Sequence, residues 1–250
     1  MILSKKVIIL ILSLSILVGS GSYLCFQYWQ KKNQELFSKK LVLFDFDGTL
    51  FDTIDELIVA VNQTLKEYGY PAEITRQEVQ SSALKTCLKK RGIPFWRIPF
   101  LQKRALAIMT AAREKTQPFE DTKEYLLALK NQGYAVGILT SNSKENVMYL
   151  LNKYGFNFFD IIYCGASIFG KARSFKACLY EHNVPYNQVL YVGDEVRDIE
   201  AAHTIGIPII AVSWGCNDEK LLKDENPEYL ISHQTELLSI VQAHFNSIRT

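Results

Sequence analysis

Short apolar runs recur along the chain at 41–45, 135–140, 159–164, 188–193 and 208–213, and each gives way within a few residues to Asp, Gly, Ser or Asn. Runs of this length, bounded by turn-forming residues, read as buried strands. Between them the apolar positions follow a helical period, and the helical patterns end near Gly69, Gly92, Gly133, Gly155 and Gly206. A glycine just past the last turn accepts the left-handed backbone that closes a helix. Strand and helix in alternation predict an α/β fold, a parallel sheet with helices on both faces. Ligands of such sheets bind at the carboxyl ends of the strands. About 90 residues separate the first two strands, too many for one crossover. Residues 55–116 in this interval read as helical, with no good strand, and Thr75-x-x-Glu78 forms a capping box.

The amino terminus has a different pattern. Val7–Trp29 is 23 residues without a charge, flanked by Lys5–Lys6 and Lys31–Lys32. Roughly 20 apolar residues cross a bilayer as a helix, and Tyr23, Tyr28 and Trp29 suit its interface. The expectation is an N-terminal transmembrane anchor with a charged linker over 1–40. The competing reading is a cleaved signal peptide, since the most apolar part, Val7–Val18, spans 12 residues and Gly19–Ser22 offers small residues for cleavage. Lysines on both sides give the positive-inside bias little leverage, and it slightly favours a cytoplasmic domain. Export after cleavage is the alternative.

Charge sharpens this division. The chain carries net +2, but residues 1–40 hold six of its 28 Lys and Arg and one of its 26 Asp and Glu. The remainder is mildly acidic. No basic stripe points to nucleic acid. The five cysteines, Cys25, Cys87, Cys164, Cys178 and Cys216, are scattered and odd in number. That fits neither a zinc site nor a disulfide framework.

The candidate chemistry lies where the apolar runs end. LVLFDFDGTL (41–50) delivers Asp45 and Asp47 to one sheet edge, with Gly48 to turn the chain. Carboxylates this close repel, so a cation or a reaction has to use them. AVGILTSN (135–142) ends in Thr140, Ser141 and Asn142, and QVLYVGDEVRD (188–198) ends in Asp194 with Asp198 four residues on. Taken singly, each has a plain structural reading. Ser141–Ser143 would cap a helix, and Asp194 and Asp198 would favour a helix N-terminus.

In this order the strings resemble motifs I, II and IV of the haloacid dehalogenase-like superfamily, over residues 41 to about 215. The resemblance extends to its helical-cap, phosphoglycolate phosphatase-like subgroup. It implies a Rossmann-like catalytic core at 41–54 plus 117–250 and a cap at 55–116. It makes Asp45 the nucleophile that attacks phosphorus and Asp47 the acid/base. Thr140 would bind phosphate, with Ser141 and Asn142 beside it. Magnesium would sit on Asp45, the Asp47 backbone carbonyl and Asp194, with Asp198 supporting the site. A motif III lysine is expected between motifs II and IV. The Lys-Pro-x-Pro form is absent, so Lys171 is the candidate and Lys176 the runner-up. In the cap, RGIPFWRIPF (91–100) offers Arg97 as a grip for an anionic substrate. The rival reading of that string is hydrophobic packing between cap helices. The implied function is a magnesium-dependent phosphatase acting on a small phosphorylated metabolite. A phosphomutase and a catalytically silent, membrane-tethered binding protein are the alternatives.

Overall fold

The five apolar runs become the parallel strands β1 (Leu41–Phe44), β4 (Ala135–Leu139), β5 (Ile161–Tyr163), β6 (Val189–Gly193) and β7 (Ile209–Val212) of a computed structural model. The structure describes residues 39–70, 73–165 and 170–247. Val7–Trp29, read above as an anchor or signal, lies outside the described residues. Among the described residues no helix is long and apolar enough to cross a membrane.

A sixth strand, β8 (Tyr229–Ile231), completes a sheet of order β5-β4-β1-β6-β7-β8, all neighbours parallel. Leu41 stands opposite Ala135 on one side and Val189 on the other. β1 is thus central, and from it the chain winds outward in both directions. The carboxyl end of β1, where the winding reverses, is the crevice in which sheets of this kind bind ligands.

The sheet's two faces follow from the two-residue period of a strand. Val42, Phe44, Val136, Ile138, Leu190 and Val192 belong to one core cluster. They share it with Leu126 and Leu129 of α5 (Thr122–Asn131), Leu150 of α6 (Lys144–Tyr154), and Val241 and Phe245 of α10 (Leu237–Ser247). Elsewhere in the sheet Tyr191 meets Phe175 of α7 (Lys171–Glu181) edge-on, ring centroids 4.5 Å apart. α8 (Val196–Ile205) follows β6 directly, and α9 (Glu219–Asp224) follows the loop after β7.

Between β1 and β4 the chain makes a short antiparallel pair, β2 (Phe51–Asp52) with β3 (Gln117–Pro118). From it project α1 (Ile54–Glu67), α2 (Arg76–Ser81), α3 (Leu84–Lys90) and α4 (Ile98–Ala112). The Thr75–Glu78 capping box forms at the start of α2. These helices bury a cluster of their own, including Leu65, Val79, Leu88, Leu101 and Met109. Asn217, in the loop after β7, ties them down. Its side-chain amide donates to the Val79 carbonyl at 2.8 Å, and its side-chain oxygen accepts from the Val196 amide at 2.8 Å. The neighbouring Asp218 amide donates to the Gln80 carbonyl at 2.9 Å.

The string 91–100 follows its packing reading in part, with Ile93 and Ile98 buried in the cluster of helices α1–α4. Pro94 leads into a single 3-10 turn, Phe95–Arg97, and Ile98 and Leu101 turn inward. Phe95, Trp96 and Phe100 are left exposed at 61%, 64% and 66%.

Candidate active site

Charged side chains converge at the carboxyl edge of β1, β4 and β6. Asp45 continues β1, its amide donating to the Val192 carbonyl at 2.9 Å. Its Oδ1 accepts from the Phe46 amide at 2.8 Å, and its Oδ2 from Lys171 Nζ at 2.6 Å. Lys171 opens α7 and is buried, and its ammonium also pairs with Asp198. The same ammonium lies 5.3 Å from the centroid of the Tyr191 ring. Lys176, the other candidate, is exposed.

Asp194 ends the motif after β6 and is fully buried. It accepts from the Thr49 hydroxyl at 2.6 Å and from the Cys216 amide at 2.7 Å. Asp198 Oδ2 accepts from the Asp194 and Glu195 amides at 3.2 and 3.1 Å, which closes the first turn of α8. Glycine makes this crowding possible. A Cβ on Gly48, whose φ is +76°, would lie 2.1 Å from Asp194 Oδ2, and one on Gly215 would lie 2.3 Å from Asp194 Cβ.

The two aspartates of 45–47 sit in different surroundings. Burial pushes Asp45 up from the usual carboxylate range, and the Lys171 ammonium opposes that rise. Asp47 is half-buried and faces the other way, its carboxylate accepting from Asn142 Nδ2 at 3.2 and 3.1 Å. Asn142 Oδ1 in turn accepts from Asn146 Nδ2 at 3.1 Å. Burial and the Asp45 charge push Asp47 up to about 7. Burial works against the Lys171 ammonium, yet Asp198 and Asp45 outweigh it and hold its pKa above the ordinary lysine value.

Asp45, Asp194 and Asp198 each offer an oxygen within 4.8 Å of the others. Burial, then Glu195, Asp198 and Asp45, drive the Asp194 pKa well above the ordinary value. Three fully buried acids, Asp45, Asp194 and Asp198, face one buried cation, Lys171, so the cluster is rich in buried carboxylates. Hard oxygen donors gathered in this way fit a divalent cation of the magnesium class.

The remaining candidates from the sequence fall unevenly. Thr140 is fully buried, its hydroxyl accepting from the Asn142 amide at 3.0 Å, while Ser141 lines the cleft. Ser143, not Ser141, caps α6, accepting from the Asn146 amide at 3.2 Å. Arg97 does not line the cleft, which corrects the reading of it as a substrate grip. The turn after Pro94 leaves it exposed, its guanidinium 5.2 Å from the Trp96 ring and 3.2 Å from the Tyr70 hydroxyl. Sequence reasoning missed Thr49, Glu195, Arg197 and Asn217. For the first and last no local signal exists, because their partners are remote in sequence. Glu195 and Arg197 lie inside the quoted motif QVLYVGDEVRD, where the resemblance singles out only Asp194 and Asp198.

A cleft of about 500 Å³ opens from Asp47, Gly48, Ser141 and Lys171. Its opposite wall is largely apolar, with Leu57 and Val61 from α1, Leu84 from α3, and Leu101 and Met109 from α4.

Residues 42–212 match the family model for haloacid dehalogenase-like hydrolases. A phosphoglycolate phosphatase of Synechococcus elongatus is 29% identical over 80% of this chain and 96% of its own length. One from Pseudomonas syringae pv. tomato is 30% identical over 80% and 78%. A solved haloacid dehalogenase-like family hydrolase from Streptococcus pneumoniae superposes with a TM-score of 0.67, covering 82% of this chain and 99% of its own at 23% identity. That last likeness concerns the fold.

Proposed function

The chain belongs to the haloacid dehalogenase-like hydrolases, and on that premise we propose that it is a magnesium-dependent phosphatase. It hydrolyses a small phosphomonoester through an aspartyl-phosphate on Asp45. The observation that carries this reading is the division of labour between two carboxylates two residues apart. Asp45 is ion-paired with Lys171 at 2.6 Å, and Asp47 is held apart by Asn142. One is therefore supported as an anion, and the other is free to hold and move a proton.

In the first step an Asp45 oxygen bonds to phosphorus as the ester oxygen leaves, and Asp47 gives that oxygen a proton. In the second, Asp47 takes a proton from water, the water oxygen bonds to phosphorus, and the bond to Asp45 breaks. Lys171 keeps Asp45 oriented and lessens the repulsion between Asp45 and Asp198. Thr140 would bind the phosphate with Ser141, which lines the cleft, beside it, and Asn142 orients Asp47. Asp45, the Asp47 carbonyl and Asp194 would hold magnesium, with Asp198 supporting them. Bound there, the metal supplies positive charge that eases the approach of an anionic ester to a carboxylate. Helices α1–α4 form the cap that limits the size of the substrate and excludes water.

A phosphate-release screen over a phosphomonoester panel, with and without magnesium, tests the reading. Release that needs magnesium and passes through no bisphosphate intermediate is expected, which also separates hydrolysis from a phosphomutase. Asp194→Ala should lose this activity. It should also lose the magnesium-dependent rise in melting temperature that a ligand of the folded state confers. An unchanged rise in that variant would contradict the metal assignment.

We further propose that residues 1–40 anchor the enzyme in a membrane with its catalytic domain on the cytoplasmic side. The uncharged run Val7–Trp29 supports this. The full-length chain should stay in the membrane pellet through high-salt and carbonate washes, because burial of some 20 apolar residues far outweighs ionic contacts. A mature chain starting near Tyr23 in an exported soluble fraction would establish a signal peptide instead.

A further inference from the structure

The alcohol that Asp47 protonates departs into the cleft that Asp47 lines, so the walls of that cleft decide which alcohols fit. Asp47, Ser141 and Lys171 stand at one end of it. Facing them are Leu57 and Val61 of α1, Leu84 of α3, and Leu101, Leu106 and Met109 of α4. Val61, Leu101 and Met109 are buried in the cluster that these helices share, whereas Leu57, Leu84 and Leu106 pack against it only in part. Those three carry into the cleft apolar surface that the protein does not cover.

Two buried polar side chains in the lining, Thr64 and Asn217, are already engaged. The Thr64 hydroxyl donates to the Ala60 carbonyl at 2.7 Å, and the Asn217 side chain joins Val79 to Val196. Lys85 and Lys89 line the cleft from exposed positions on α3. A hydroxylated or charged group laid against the leucines would give up its water without gaining partners there, and an apolar one gains by leaving water. Size points the same way. An apolar cavity of about 150 Å³ holds a benzene molecule, and this cleft measures about 500 Å³. Once a phosphoryl group is seated at Asp45, room remains for a ring or an alkyl chain.

We infer that the substrate is a phosphomonoester of an apolar alcohol, whose hydrocarbon part lies against Leu57, Leu84 and Leu106. This rests on the phosphatase reading and adds to it a substrate class and three specificity residues.

The test uses the full-length chain with magnesium and the series ethyl, butyl and hexyl phosphate. The leaving alcohols are nearly equal in acidity, so differences along the series report burial of the chain and not the chemical step. kcat/KM should rise about threefold per methylene, somewhat less than full burial would give, and so about 80-fold from ethyl to hexyl phosphate. The rise should come chiefly through KM. Leu84→Gln and Leu57→Gln place a polar amide at half-buried positions. Each should lower the hexyl-to-ethyl ratio by about tenfold, the worth of roughly two methylenes. If one variant fails to fold, the other and the wild-type series decide. A flat or falling wild-type series would overturn the inference. So would a ratio unchanged in the folded variants. Cleavage of 2-phosphoglycolate or glycerol 3-phosphate with none of the alkyl esters cleaved would overturn it and leave the phosphatase reading standing. Release from none of these compounds, nor from p-nitrophenyl phosphate, would overturn the phosphatase reading itself.

Discussion

Asp45→Asn should lower phosphatase turnover by about four orders of magnitude or more, the scale on which enzymes lose activity with their nucleophile. The amide matches the carboxylate in shape and cannot attack phosphorus. The fold should survive the change. The Phe46 amide donates to Asp45 Oδ1 at 2.8 Å, and the amide oxygen of Asn can accept that bond. Loss of the charge also removes one of several mutually repelling buried acids. Steady-state phosphate release and thermal unfolding of the same sample read both halves of the expectation. Substantial turnover in a folded variant would show that a different group attacks phosphorus.

The second large effect is on stability. Lys171 is 4% exposed and is paired with both Asp45 and Asp198, themselves 1% and 0% exposed. Lys171→Met keeps most of the volume and removes the charge, so two carboxylates lose their shared counter-ion in a buried setting. Breaking a buried ion pair from one side costs about 3–5 kcal/mol. In a domain of this size that is roughly 6–20 °C of melting temperature. Magnesium should return part of the loss, since it supplies charge to the same acids. Adding Asp198→Asn to Lys171→Met should also return part of it, because one repelling carboxylate is gone. A Lys171→Met melting temperature within about 2 °C of wild type, measured without metal, would mean that the pair contributes little.

Most of the sheet was legible because its strands are apolar on both faces and bounded by turn residues. Five of its six strands fall inside the runs read from sequence, trimmed by one to three residues. β8 was missed because Tyr229–Ile231 is three residues with no clear apolar run around it. β2 and β3, at two residues each, are too short for a period of two to register. The glycines at the helix ends carried their signal in one residue, as at Gly155 and Gly206, both in left-handed backbone.

Legibility of the site followed the same physics. Asp45, Asp47 and Asp194 were visible because acids directly after buried strands have few structural uses. Lys171 was different. A lysine opening a helix looks like any solvated lysine, and only the order of the family's motifs singled it out. Arg197 lies one residue from Asp198 and went unremarked, since first-turn charges usually face water. What distinguishes it, an Nε buried without an acceptor and a place on the cleft wall, exists only in three dimensions. Arg97 failed in the opposite sense. Its aromatic and proline neighbours suggested a substrate loop, but the turn after Pro94 points Phe95, Trp96 and Arg97 outward while Ile93 and Ile98 pack inward.

The covalent intermediate is the centre of this account, and borohydride trapping addresses it directly. The enzyme is acid-quenched during turnover with a cleaved phosphomonoester and magnesium, reduced with borohydride, digested and sequenced by mass spectrometry. An aspartyl-phosphate is reduced to homoserine, whereas a free carboxylate is not. The account predicts homoserine at position 45 alone, present only when both substrate and magnesium were added, and absent from Asp45→Asn. Sustained phosphate release with Asp45 unmodified, or with the label at another residue, would contradict it.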